Sequence, residues 1–105
     1  MNDSSNMLER VKAEVALMER HLDVLRAVMI HQPIGIMRLA EQMDLPYHRI
    51  RYSLRILEQM GYLRASPEGA VILDRAYQLV ESLDEELEGI LRELQRIQRK
   101  NSHNV

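Results

Sequence analysis

The 105-residue chain has no cysteine, no tryptophan and no phenylalanine. Without thiols it can form no disulfide, no thiolate metal site and no thiol redox switch. Without Phe or Trp its core must be aliphatic, built from Leu, Ile and Val with seven Met as adaptable filler. Only three prolines and four glycines punctuate the chain, so long uninterrupted elements are expected. A long hydrophobic run is also missing. The most apolar segment, Val24 to Met37, is broken by Arg26, His31 and Pro33 and cannot span a bilayer. The opening MNDSSNMLERVKAEV is polar where a secretory leader would be apolar. The expectation is a soluble, cytoplasmic protein without a membrane partner. With 46% hydrophobic and 29% charged residues, residues 1–105 read as one helix-rich globular domain.

Motifs for catalysis are missing as well. His21, His31, His48 and His103 have no metal-ligand spacing, and three of them read as surface groups. Ser53 has no nucleophile-elbow context and is expected to face sideways on a helix. No glycine loop could cradle a phosphate. The sequence therefore predicts no enzyme, no metal and no cofactor, and no small-molecule effector site is evident.

What is present is periodicity. Residues 1–5 look frayed, and Asn6 with Glu9 has capping-box form, so a first helix is expected over 6–31, ending before Pro33. Along it Leu8, Val11, Val15, Met18, Leu22, Leu25 and Met29 form an unbroken heptad stripe. A last helix over 74–100, capped by Asp74, repeats the pattern with Ala76, Val80, Leu83, Leu87, Ile90, Leu94 and Ile97. Each helix would be roughly 35–40 Å long, more than a core of this size can cover. The inner halves should pack within the chain. The outer halves, before about Arg20 and after about Leu87, should form an intermolecular seam that makes a homodimer. The expected dimer residues are Leu8, Val11, Val15, Met18, Leu83, Leu87, Ile90, Leu94 and Ile97.

Residues 34–73 are divided more finely. Ile34-Gly35-Ile36 suits a one-bridge strand with Gly35 capping a two-turn helix that uses Ile36, Leu39, Ala40 and Met43. Asp44-Leu45-Pro46 is a tight turn, and a third helix should run from Tyr47 to Met60, stopped by Gly61. Strands are expected at 62–65 and 70–73 around Ser66-Pro67-Glu68-Gly69, whose Pro and Gly are turn residues.

Charge is unevenly placed. The net charge is −2, yet residues 34–64 carry five arginines against three carboxylates, and three of these arginines fall on the third helix. At 100° per residue, Ile50, Leu54 and Leu57 define that helix's buried face. His48, Tyr52, Arg55 and Gln59 then point the opposite way, flanked by Arg49 and Arg51. Guanidiniums in this setting suit phosphates and the O6/N7 edge of guanine, so double-stranded DNA is the expected partner.

The order helix, strand, helix, turn, helix, hairpin, helix resembles the winged helix-turn-helix family. The resemblance covers residues 20–85 and rests on LAEQMDLPYHRIRYSLRILEQMGYL, with Leu39-Ala40 on a positioning helix, Leu45 in the turn, and Gly61-Tyr62-Leu63 leading into the wing. It is closest to small archaeal and bacterial transcription regulators. It implies a mainly α fold with long N- and C-terminal helices and a short β-hairpin wing. It further implies base contacts from His48, Arg51, Tyr52 and Arg55, and phosphate contacts from Arg38, Tyr47, Arg49 and Arg64. Winged helices also serve as protein-docking adaptors, which is the alternative reading. Members commonly carry a basic residue at the wing tip; here the tip holds Glu68, leaving Arg64 at the base.

Overall fold

The computed structural model describes residues 3–103, with side chains from Asn6 to His103. The chain is mainly helical: α1 (Asp3–His31), α2 (Ile36–Met43), α3 (Tyr47–Gln59), β1 (Leu63–Ser66), β2 (Gly69–Ile72) and α4 (Asp74–His103). The order agrees with the periodicity, and several limits move. α1 begins at Asp3, so Asn6 lies inside the helix and does not cap it. The first N–H groups of any helix lack acceptors, so a polar run such as this one can start the helix a turn earlier at little cost. Of the residues expected to be frayed, Met1 and Asn2 lie outside the described residues. At the other end of the chain, Asp74 is the first residue of α4 and not its cap; the carbonyl of Leu73 accepts from the Ala76 N–H at 3.0 Å. The carboxylate in that first turn still complements the helix dipole. α4 continues to His103, beyond the expected residue 100.

The ends of the short elements follow from local chemistry. Gly35 precedes α2 in extended conformation, and Asp44 ends it in the left-handed region at φ 53°, which Asp tolerates better than most residues. α3 stops in a Schellman arrangement. Tyr62 N–H reaches Leu57 O at 3.0 Å, Gly61 N–H reaches Glu58 O at 3.0 Å, and Gly61 takes φ +83°. The hairpin is shifted by one residue from expectation, because Ser66 pairs with Gly69 and only Pro67 and Glu68 form the turn. The Ser66 hydroxyl donates to Gly69 O at 2.6 Å and holds that register. Gly69 cannot be replaced without strain: φ is +131°, and an added Cβ would lie 2.4 Å from the carbonyl carbon of Ile34. That close approach lets Ile34 bridge to Ala70 and ties the α1–α2 connection to the hairpin.

The core consists of Val24, Leu25, Val28, Ile34, Leu39, Ile50, Leu57, Leu63, Ala70 and Ala76. Burying each large aliphatic side chain contributes about 1.5–3 kcal/mol. α1 is rotated from the expected stripe. Val24, Leu25 and Val28 are fully buried, while Leu22 and Met29 are only half-buried. The reason is that α1 faces both α3 and β2, so its contact surface is wider than one heptad seam. Leu54, expected on the buried face of α3, is half-buried at the edge of the core.

The long helices extend past this core, and the described chain is 57 Å along its longest axis. Met7, Leu8, Val11, Val15 and Met18 of α1 are exposed, as are Ile90, Leu91, Leu94 and Ile97 of α4. Of the nine residues expected at a seam, seven are exposed; Leu83 is buried against its own chain and Leu87 is half-buried. Among the described residues no helix is long and apolar enough to cross a membrane.

Candidate functional site

α3 sits against α1, α2 and β1, which leaves one long face open. Ile50, Ser53 and Leu57 turn inward. Tyr47, His48, Arg49, Arg51, Tyr52, Arg55, Glu58 and Gln59 are exposed. Arg38 on α2 and Arg64 on β1 are exposed too, Arg64 because strand alternation turns it away from buried Leu63. Among the described residues the only ion pair joins Lys12 to Glu9 at 3.6 Å, so none of these five arginines is neutralised by a carboxylate. Exposed cations without an ion-pair partner contribute a positive field that attracts anions, offset in part by Glu58 beside Arg51 and Arg55.

The expected base-reading residues line different surfaces beside α3. Arg51 and Arg55 line a cleft of about 390 Å³ between α3 and the hairpin, together with Leu54, Glu58, Ala65 and Ser66. Tyr52 turns to the other side of α3 and meets α1. Its ring lies 5.9 Å from the His21 ring, and the Arg20 guanidinium sits 5.9 Å above it. Tyr52 is 42% exposed, so it stays on the outward side of α3 as expected, but its ring also faces two α1 side chains. The physical reason is that α1 continues N-terminally past its core residues, so that Arg20 and His21, in the turn just before Val24, lie against that flank of α3. His48 stays exposed at the start of α3, beside Tyr47 and Arg49.

Ser53 departs from its expected place. It does not face sideways; it is fully buried, the one buried polar side chain among the described residues. Its hydroxyl lies 2.8 Å from His21 Nδ1 and accepts from Arg20 Nε at 3.1 Å. Since Arg20 can only donate, the hydroxyl proton is free to go to Nδ1, which favours neutral His21 with its proton on Nε2. His21 is therefore no simple surface group. Burial lowers its pKa from the ordinary 6.5, and the Arg20 charge lowers it further, partly opposed by Glu14. The fold holds His21 neutral, so its contribution to stability is present above pH 6.5 and is lost as pH falls from there through the lower folded value. Unfolding midpoints measured from pH 8 to pH 5 should decline for the wild type, and His21→Gln should flatten that decline. An unchanged slope would show that His21 titrates alike in both states.

A cleft of about 420 Å³ was also not expected. It lies between α1, α3 and α4, walled by Leu17, Met18, Leu22, Ile56, Met60 and Leu79, with His21 and Tyr52 at one side. It stays open because α1 and α4 pack only weakly on one another. The off-stripe apolar residues Leu17, Ile56, Met60 and Leu79 were the available signal for it. Among the described residues no group of His, Asp or Glu side chains could hold a metal.

Compared with known protein families, the chain matches no family model, and no curated protein matches its sequence.

Proposed function

We propose that the protein is a homodimeric winged-helix DNA-binding regulator of transcription, with α3 entering the major groove. The observation that carries this reading is the set of unpaired, exposed arginines at 38, 49, 51, 55 and 64, three of them on α3 beside the hairpin. Two short helices joined by Asp44–Pro46, followed by a hairpin, are the arrangement in which such a helix reads base edges. Arg51 and Arg55 are the base-reading residues in this account, with His48 at the helix start. Arg38, Tyr47, Arg49 and Arg64 hold phosphates. Tyr52 positions α3 against α1. The exposed apolar residues of α1 and α4 supply the dimer contacts.

A second reading, a winged-helix adaptor that docks on a protein partner, is favoured by one feature. The hairpin tip presents exposed Glu68 and no cation, which would repel a phosphate. Titrating duplex DNA at several salt concentrations separates the two. DNA binding through arginines must weaken steeply with salt, and Arg38→Ala or Arg64→Ala should each flatten the logarithmic slope by about one unit. Absence of measurable duplex binding at low salt would favour the adaptor.

A further inference from the structure

α4 carries its charge in two blocks. Between Glu81 and Glu88 lie five carboxylates and no cation; between Arg92 and Lys100 lie four cations and one carboxylate. The exposed apolar residues Ile90, Leu91, Leu94 and Ile97 straddle the boundary between the blocks. α4 packs on its own chain through its first half, with Ala76 and Leu83 buried and Leu79 against the core, while among the described residues everything from Ile90 to His103 is exposed.

We infer that α4 pairs antiparallel with α4 of a second copy of this chain, about a two-fold axis beside Arg92. This rests on the dimer proposed above and specifies which surfaces make it. The sequence positions set the register. When Ile90 packs on the partner's Leu94, Leu87 packs on the partner's Ile97, and symmetry repeats both layers. Leu91, exposed on the flank of the stripe, then meets the partner's Leu91. Glu86 comes alongside the partner's Lys100. Glu85 and Glu88 fall level with the partner's Arg99 and Arg96 along the axis, on the outer faces, where they add only to the longer-range field. A parallel pairing would place the acidic block against the acidic block and the basic against the basic. Opposite charges thus select the antiparallel orientation, and the apolar residues select the register.

The groove beside α4 has a place for the incoming helix. Met18 of α1 and Leu79, Leu83, Leu87 and Ile90 of α4 wall a channel of about 440 Å³. The end of the partner's α4, from Ile97 onward, would run toward that channel. Met18 would then contribute to the same seam from α1.

Because the chain contains no cysteine, single cysteines can report the pairing directly. Leu87→Cys and Ile97→Cys are prepared separately, mixed under reducing conditions to exchange subunits, and then oxidised. In the inferred register each residue is about 15 Å along the axis from its own counterpart but level with the other. A disulfide-linked dimer should therefore appear in the mixture, joining 87 to 97, and be nearly absent from either variant alone. Glu86→Cys with Lys100→Cys gives a second, surface-placed pair if the first loosens the seam. Self-cross-linking of each single variant would overturn the inference by showing parallel helices. No cross-link from either pair in a protein that light scattering shows to be a dimer would place the seam elsewhere. A monomeric wild type would remove the dimer itself, a separate failure.

Discussion

Replacing Arg51 or Arg55 by alanine should weaken binding to a preferred duplex by about 1–3 kcal/mol each, roughly fivefold to 150-fold in affinity. Both side chains are exposed, neither forms an ion pair among the described residues, and both line the cleft between α3 and the hairpin, which Glu58 also lines. Their loss should therefore leave the unfolding midpoint within a degree or so of the wild type, since surface changes of this kind are close to neutral. The effect should be on discrimination: affinity for random duplex should fall much less than for the preferred one. Equal losses on both would make Arg51 and Arg55 phosphate contacts. Tyr52→Phe should behave differently, with little change in binding, because the ring that faces His21 and Arg20 is kept.

The other large effect concerns assembly. Ile90 is 48% exposed in the single chain, so Ile90→Asp should cost the isolated fold little. In a helix–helix seam the same carboxylate would have to be desolvated without a partner, at a cost of several kcal/mol. The variant should run as a monomer in light scattering while keeping the helix content of the wild type by circular dichroism. Because two linked recognition helices bind far more tightly than one, its affinity for duplex DNA should fall as well. A variant of unchanged mass would place the seam away from Ile90.

Much of this arrangement was legible in the sequence because punctuation residues act locally. Pro33 ends α1 within two residues of His31, Gly61 closes α3, and Pro67 with Gly69 fixes the hairpin to within one residue. Each depends on a backbone constraint that needs no tertiary partner. Periodicity likewise gave α2, α3 and the two long helices. What could not be read was decided by neighbours distant in sequence. Ser53 is buried because Arg20 and His21, more than thirty positions earlier, satisfy its hydroxyl. Viewed alone, a serine at the edge of the Ile50–Leu57 face is as easily solvated. The rotation that buries Val24 and Val28 depends on α1 touching α3 and β2 together, which a heptad count along one helix does not contain. The neighbours of Tyr52 have the same origin, since the residue is outward on α3 yet its exposed ring faces Arg20 and His21 of α1. The weak packing of α4 on α1, and with it the apolar cleft, is a tertiary matter and leaves no period in the chain.

These corrections narrow the candidate DNA face. Arg51 and Arg55 remain on the hairpin side, His48 and Arg49 at the start of α3, and Arg38 and Arg64 at the flanks. In the proposed DNA-bound dimer, the acidic block from Glu81 to Glu88 would have to lie on the side away from the phosphates, which would orient a protein whose net charge is −2 per chain.

The most direct measurement is a selection of bound sequences from random duplex DNA, followed by affinity on the selected duplex with altered spacing. Two copies of α3 related by a two-fold axis should select an inverted repeat, with half-site centres about 10–10.5 base pairs apart or a multiple of that. Inserting about five base pairs between the half-sites turns one of them half a helical turn away and should abolish tight binding. Recovery of no preferred sequence, or unchanged affinity after the insertion, would contradict a dimer that reads DNA through paired α3 helices.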